Sequence, residues 1–87
     1  MSKVVMLTKN NCQKCEALKM FLKFAMNNKY EQDIELVNQQ EHADVFNQYA
    51  DKFQVVALPA LIFKDEILRD PQPSATMSFF EKHIGKK

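Results

Sequence analysis

The pattern of hydrophobic positions begins with a continuous apolar run, Val4-Val5-Met6-Leu7, which is followed by an amphipathic stretch. Residues 3–8 predict a buried strand, because a short unbroken apolar run bounded by polar residues is typical of a covered strand. Residues 13–28 predict a helix, since apolar positions recur there every three or four residues, and Asn27-Asn28 predicts its end. The predicted apolar stripe comprises Cys15, Leu18, Leu22 and Ala25, widened by Phe21 and Phe24.

The next two segments repeat the alternation of strand and helix. Residues 34–37 alternate briefly and predict a second strand, and residues 41–53 predict a second helix. The apolar residues of this helix are Val45, Phe46, Tyr49, Ala50 and Phe53. Two strands separated by a helix indicate parallel pairing.

The last third of the chain predicts a hairpin and a helix. Residues 60–63 and 66–68 are joined by a tight Lys64-Asp65 connection, which indicates an antiparallel pair. The final helix covers about 74–84 and ends near Gly85. Its predicted inward residues are Met77, Phe80 and Ile84, and of the adjacent pair Phe79-Phe80 we expect one ring to point away from the core. The complete order is β-α-β-α-β-β-α.

Length and charge narrow the range of functions. A chain of 87 residues can bury one core, so we expect residues 1–87 to form a single domain, and a monomer. A formal net charge of +1 argues against a nucleic-acid or membrane surface. Only four apolar residues follow Met1-Ser2-Lys3, too few for a signal peptide or a membrane span. We therefore expect a cytoplasmic protein.

Both cysteines of the chain fall at the predicted junction of strand and helix, as Cys12 and Cys15. Residues three apart at the start of a helix lie about one turn apart, close enough for a disulfide. The free amides and the dipole of a helix N-terminus favour a thiolate, which predicts a low pKa and a nucleophilic role for Cys12. Cys15 shares the apolar face of the helix and should be the more buried, resolving cysteine. Lys9 and Lys14 flank the pair and should further favour the Cys12 thiolate.

Two segments, Leu7 to Cys15 and Val56 to Phe63, carry a resemblance to the thioredoxin fold in its glutaredoxin branch. The resemblance spans Lys3 to about Ile84 and implies an α/β fold with a four-stranded mixed sheet flanked by three helices. It further implies that Pro59 is cis and faces the dithiol. The backbone of Leu58 would pair with the substrate chain.

The resemblance also implies a function, which is thiol–disulfide exchange with a disulfide-containing protein substrate and no resident cofactor. Lys9 matches the family lysine that holds a glutathione carboxylate. Gln13 and Lys14 replace the usual proline and aromatic residue and would set the redox poise. The usual Gly-Gly pair is replaced by Arg69-Asp70. The reductant is either glutathione or thioredoxin reductase, and small redoxins of the latter kind, which reduce ribonucleotide reductase, are similar in size.

Two other functions remain open from the residues alone. Cys12 and Cys15 supply two thiolates, so two subunits would supply the four ligands of a metal or iron–sulfur site. The only imidazoles, His42 and His83, are far apart in sequence. Alternatively, the domain is a redox-inert interaction module, which requires a Cys12 pKa near the free value of about 8.5.

Overall fold

The computed structural model describes residues 3–87. Met1 and Ser2, on which the expectation about a signal peptide partly depends, lie outside the described residues. The elements are β1 (Val4–Thr8), α1 (Gln13–Met20), a π-helical turn (Phe21–Ala25), a 3-10 turn (Glu31–Asp33), β2 (Ile34–Asn38), α2 (Ala43–Phe53), β3 (Ala60–Phe63), β4 (Glu66–Arg69) and α3 (Pro73–His83).

The four strands form one mixed sheet in the order β2-β1-β3-β4. β1 runs parallel to β2, with Val4 opposite Ile34. β1 is antiparallel to β3, and β3 is antiparallel to β4 across the predicted two-residue turn. The predicted element order, the parallel first pair and the hairpin are therefore confirmed.

Both faces of the sheet are covered, and β1 contributes to both cores because neighbouring side chains on a strand point to opposite faces. Val4 and Met6 belong to a first cluster, which contains residues of α1 and α3. Val5 and Leu7 belong to a second cluster, which contains Phe46 of α2. All five residues of β1 are buried, which confirms the interpretation of its unbroken apolar run.

The first helix differs from the regular helix predicted over residues 13–28, because its last part is a π-helical turn and its helical residues end at Ala25. α1 ends at Met20, and the π-helical turn that follows is closed by a 3.1 Å hydrogen bond from the Met26 amide to the Phe21 carbonyl. Met26 is 2% exposed and continues the buried stripe. Phe24, in contrast, is 64% exposed, and Ala25 also faces solvent. The wide turn shifts the buried position by one residue, so the prediction of Phe24 and Ala25 as core residues is wrong.

The residues predicted to stop two helices, Asn27-Asn28 and Gly85, lie just beyond the helical residues and have left-handed backbone. Asn27 and Asn28 have φ angles of 53° and 55°, a left-handed conformation that asparagine tolerates better than most residues. Gly85, with a φ of 117°, follows α3, and its amide donates to the Phe80 carbonyl at 3.2 Å. Both segments therefore stop the preceding helix by left-handed backbone.

The inward face of α3 differs from the prediction. Phe79 and Phe80 are both buried, and Met77 is 39% exposed. Both rings belong to the first cluster, and the Phe79 ring also packs edge-on against the His83 ring, with centroids 4.6 Å apart. The His83 ring also stacks on Phe63 of β3 at 4.7 Å. Both neighbouring phenylalanines are thus covered. The core cluster between α3 and the sheet covers Phe80, and His83 in the last turn of α3 covers the Phe79 ring. Val45 of α2, expected in the core, is 40% exposed.

Candidate redox site

The loop between β1 and α1 is held by side chains at the end of β2 and just after it. The Asn38 side-chain amide donates to Asn10 Oδ1 at 3.1 Å, and the Asn10 backbone amide donates to Gln40 Oε1 at 3.0 Å. Asn11 then adopts a left-handed conformation, with a φ of 54°. These contacts turn the chain so that Cys12 stands at the N-terminus of α1.

Cys12 and Cys15 form a disulfide, with their Cα atoms 5.2 Å apart. Cys12 is the N-cap of α1, and its Sγ accepts a 3.1 Å hydrogen bond from the Cys15 amide. Cys12 is 9% exposed and Cys15 is 0% exposed, which confirms that Cys15 is the more buried of the two. An amide directed at the Cys12 sulfur stabilises negative charge there once the disulfide is reduced.

The peptide bond between Leu58 and Pro59 is cis, as the resemblance implies, and it directly precedes β3. The Leu58 side chain packs against the second core cluster. Pro59 and Lys14 line the same groove, of about 340 Å³, beside the start of α1. The structure thus brings the cis proline and Lys14 together on one side of the dithiol.

A second groove lies on the other side of Cys12 and is lined by Lys9, Gln13 and the exposed side chain of Met20. Glu16, also in this groove, pairs with Lys19 at 3.1 Å. Among residues 3–87, neither Lys9 nor Lys14 has a salt-bridge partner. The positive charge next to the dithiol is therefore not neutralised by an ion pair within the described chain.

One wall of the first groove was not identified from sequence. It is formed by residues 70–73, the connection from β4 to α3. The two prolines of this segment indicate a turn of fixed conformation, but they do not indicate that the turn lies beside Lys14. Arg69 points away from the groove and donates to the carbonyls of Phe53 and Gln54 at the end of α2, while Asp70 has a φ of 45° and lines the groove. Asp70 therefore occupies, with left-handed backbone, a place where the resemblance leads one to expect glycine.

The histidines lie elsewhere. His42 is the N-cap residue of α2, and His83 contacts Glu66 at 2.6 Å in the region where α3 ends. Within residues 3–87 no group of three or more histidine, cysteine or acidic side chains is placed to hold a metal ion. No helix in the same range is both long and apolar enough to span a bilayer.

Comparison with known proteins gives a structural match only. No protein-family model matches the sequence, and no curated protein matches it significantly. The structure is similar to the crystal structure of the glutaredoxin (grx-1) from Archaeoglobus fulgidus, with a TM-score of 0.62 and 17% sequence identity. The match covers 99% of this chain and 89% of the other. The chain therefore has the glutaredoxin form of the thioredoxin fold, with a CxxC disulfide at the junction of β1 and α1.

Proposed function

We propose that this protein is a thiol–disulfide oxidoreductase that reduces disulfides of other proteins. The observation that supports this most is the Cys12–Cys15 disulfide at the N-terminus of α1, in which Cys12 is 9% exposed and Cys15 is fully buried. A pair so placed can exchange with an external disulfide through one sulfur while the second remains protected.

The proposed reaction has two steps. The Cys12 thiolate attacks one sulfur of the substrate disulfide, forms a mixed disulfide and releases the other substrate sulfur as a thiolate, which takes up a proton. Cys15 then loses its proton and attacks Cys12, so that the Cys12–Cys15 bond forms and the remaining substrate sulfur leaves. Two electrons pass from the dithiol to the substrate. The amide of Cys15 stabilises the starting thiolate, because it already donates to the Cys12 sulfur.

Substrate binding is proposed for the groove beside Pro59. Leu58 and Pro59 directly precede β3, and in this proposal the backbone of Leu58 pairs with an extended peptide as an added strand would. Lys14 faces the same groove and would contact the peptide, and Gln13 would contact it from the Cys12 side. An extended segment of the substrate would thus cross the site with its cysteine at Cys12.

Two electron sources fit this site. Glutathione would use Lys9 for one of its carboxylates, and Lys9 lines the groove that contains Cys12. Thioredoxin reductase would require only access to the disulfide. With the second source, the protein would be a candidate electron donor to ribonucleotide reductase in the cytoplasm. Thiol–disulfide exchange through Cys12 and Cys15 does not depend on which of these two electron sources operates.

The test is reduction of insulin disulfides by the purified protein with two regenerating systems, thioredoxin reductase with NADPH and glutathione with glutathione reductase and NADPH. We expect turnover with at least one system, and the system that works identifies the reductant. The Cys12→Ser variant, which lacks the nucleophile, should be inactive with both. Activity of the wild-type protein with neither system, or equal activity of Cys12→Ser, would overturn the proposal.

A further inference from the structure

The side of α1 that faces away from the core carries large apolar side chains. Cys15, Leu18 and Leu22 form the buried side of this helix and of the π-helical turn after it. Met20 is 59% exposed and Phe24 is 64% exposed. One exposed apolar side chain is ordinary, but an amphipathic helix normally presents charged and polar residues to solvent. Two large apolar residues one turn apart on this side are typical of a surface that another molecule covers.

These residues continue a row that begins beside the dithiol. The exposed residues Ala17 and Met20 line the second groove together with Cys12. Phe24 follows Met20 by four residues and thus lies one turn further on the same side. We call Ala17, Met20 and Phe24 the outward row. From Gln13, at the start of α1, to Phe24 the helix rises by about 16 Å at about 1.5 Å per residue. A partner whose sulfur reaches Cys12 therefore lies at the beginning of the outward row.

The charges around the outward row are mostly positive. Residues 9–23 carry four lysines and one glutamate, whereas the whole chain has a formal net charge of +1. The glutamate pairs with Lys19 at 3.1 Å. Lys9 and Lys23 have no salt-bridge partner in the part of the chain that the structure describes, and the Lys23 ammonium lies 5.5 Å from the centroid of the Phe24 ring. An apolar row flanked by unpaired cations is complementary to an apolar surface that carries carboxylates.

We propose that the outward row binds an acidic and apolar segment of the disulfide-containing partner protein, which lies along α1 while its cysteine is at Cys12. This inference rests on the proposed function. Apolar side chains of the partner cover Met20 and Phe24, and its carboxylates pair with Lys9 and Lys23. Redox encounters are brief and use small interfaces, so one side of one helix is sufficient. Glutathione does not reach Phe24, because a tripeptide spans at most about 10 Å.

The test is the rate at which synthetic disulfides oxidise the reduced protein, read by mass after acid quenching and alkylation. The peptide probes are disulfide-linked homodimers, each arm an N-terminal cysteine followed by about five residues, because an extended arm of that length covers about 16 Å at about 3.3 Å per residue. An acidic–apolar probe alternates glutamate with leucine. An acidic–polar probe has serine in place of leucine, and a basic–apolar probe has lysine in place of glutamate. Oxidised mercaptoethanol is the small disulfide without an arm.

Each variant is compared with wild type on the same probe, which cancels the intrinsic reactivity of that probe. Met20→Ser and Phe24→Ser should each slow the reaction of the acidic–apolar probe about threefold, and together about tenfold, because the apolar contact is lost. Their rates with the acidic–polar probe and with oxidised mercaptoethanol should stay within about twofold of wild type. Lys23→Glu should slow the acidic–apolar probe and accelerate the basic–apolar probe, without a matching change in the Cys12 pKa. Val45→Ser, at a 40% exposed position of α2, is the matched control and should change none of these rates.

An unchanged rate of the acidic–apolar probe in the double variant would overturn the inference. An equal loss with oxidised mercaptoethanol would also overturn it, because the substitutions would then act on the dithiol itself.

Docking without exchange is measured with peptide arms that have serine in place of cysteine. Titration of the oxidised protein with the acidic–apolar arm should give saturable amide chemical-shift changes at Met20 and Phe24, and none at Val45. A wild-type protein that reacts with no disulfide would overturn the proposed function, and this titration would still decide the docking surface. Absence of shift changes along α1 would overturn the inference.

Discussion

At the residue scale, the different roles proposed for the two cysteines follow from their positions in one helix. Cys12 caps α1 and is in contact with an amide and with solvent, whereas Cys15 faces the core one turn later. This difference was predictable from sequence, because spacing and helix phase are local properties. The cis bond at Pro59 came from the family resemblance, since sequence alone does not determine the isomer.

Charge near the dithiol gives the first prediction. Lys14→Glu should raise the pKa of Cys12 in the reduced protein, because it replaces a positive charge near the thiolate with a negative one. Thiolate absorbance against pH measures this. Lys23→Glu, in the π-helical turn, is the matched control and should have a much smaller effect, and high salt should reduce the Lys14→Glu effect. An unchanged or lower Cys12 pKa in Lys14→Glu would contradict the account.

At the element scale, the end of α1 shows where sequence periodicity fails. The π-helical turn contains the residue types of an ordinary helix. The sequence therefore does not show that this turn holds one residue more than an α-helical turn. The extra residue nevertheless selects Met26 over Ala25 for the core. The burial of Phe79 beside Phe80 was missed for a different reason. The Phe79 ring packs on His83, and His83 in turn stacks on Phe63 of β3, which is distant in sequence.

The π-helical turn predicts a large loss of stability for truncation of one side chain and a small change for truncation of another. Met26→Ala should lower the free energy of unfolding by about 2–4 kcal/mol, because it opens a cavity in the first core cluster. Phe24→Ala should change it by about 0.5 kcal/mol or less, because the ring is 64% exposed. Urea denaturation of the two variants measures both values. A regular helix to residue 28 with Phe24 in the core would give a large loss for Phe24→Ala instead.

The contact between β4 and α3 predicts a pH dependence. Hydrogen bonds from Lys82, at 2.9 Å, and then from His83 hold the pKa of Glu66 below its usual value of 4.5. A carboxylate with a lowered pKa stabilises the folded state at neutral pH, and that contribution is lost as the pH falls below about 4.5 through the lowered pKa. Tm should therefore fall more steeply with acid in the wild-type protein than in Glu66→Gln.

A variant of Lys82, which donates a hydrogen bond to Glu66, provides the control for this pH effect. Lys82→Met removes the first of the two donors to Glu66, so its acid slope should lie between those of wild type and Glu66→Gln. Parallel Tm curves for wild type and Glu66→Gln below pH 4.5 would show that this contact does not contribute.

At the scale of the whole molecule, the candidate site is assembled from three distant parts of the chain: the β1–α1 junction, the residue before β3, and the β4–α3 connection. The first two carry motifs and were predicted. The third, residues 70–73, was not, because its approach to Lys14 is set by the packing of α3 beside α1 and by the strand order. Fold class was therefore predictable from local patterns, whereas the shape of the groove required the assembled sheet.

The most direct test of the central claim is capture of the mixed disulfide. Reduced Cys15→Ser is mixed with an excess of a disulfide-bonded protein such as insulin, quenched with acid and analysed by peptide mass. We predict a covalent adduct through Cys12, because Cys15 can no longer resolve it. Cys12→Ser, treated identically, should give little adduct, since the Cys15 sulfur is 0% exposed. An adduct that forms equally through Cys15, or no adduct in either variant, would contradict the account.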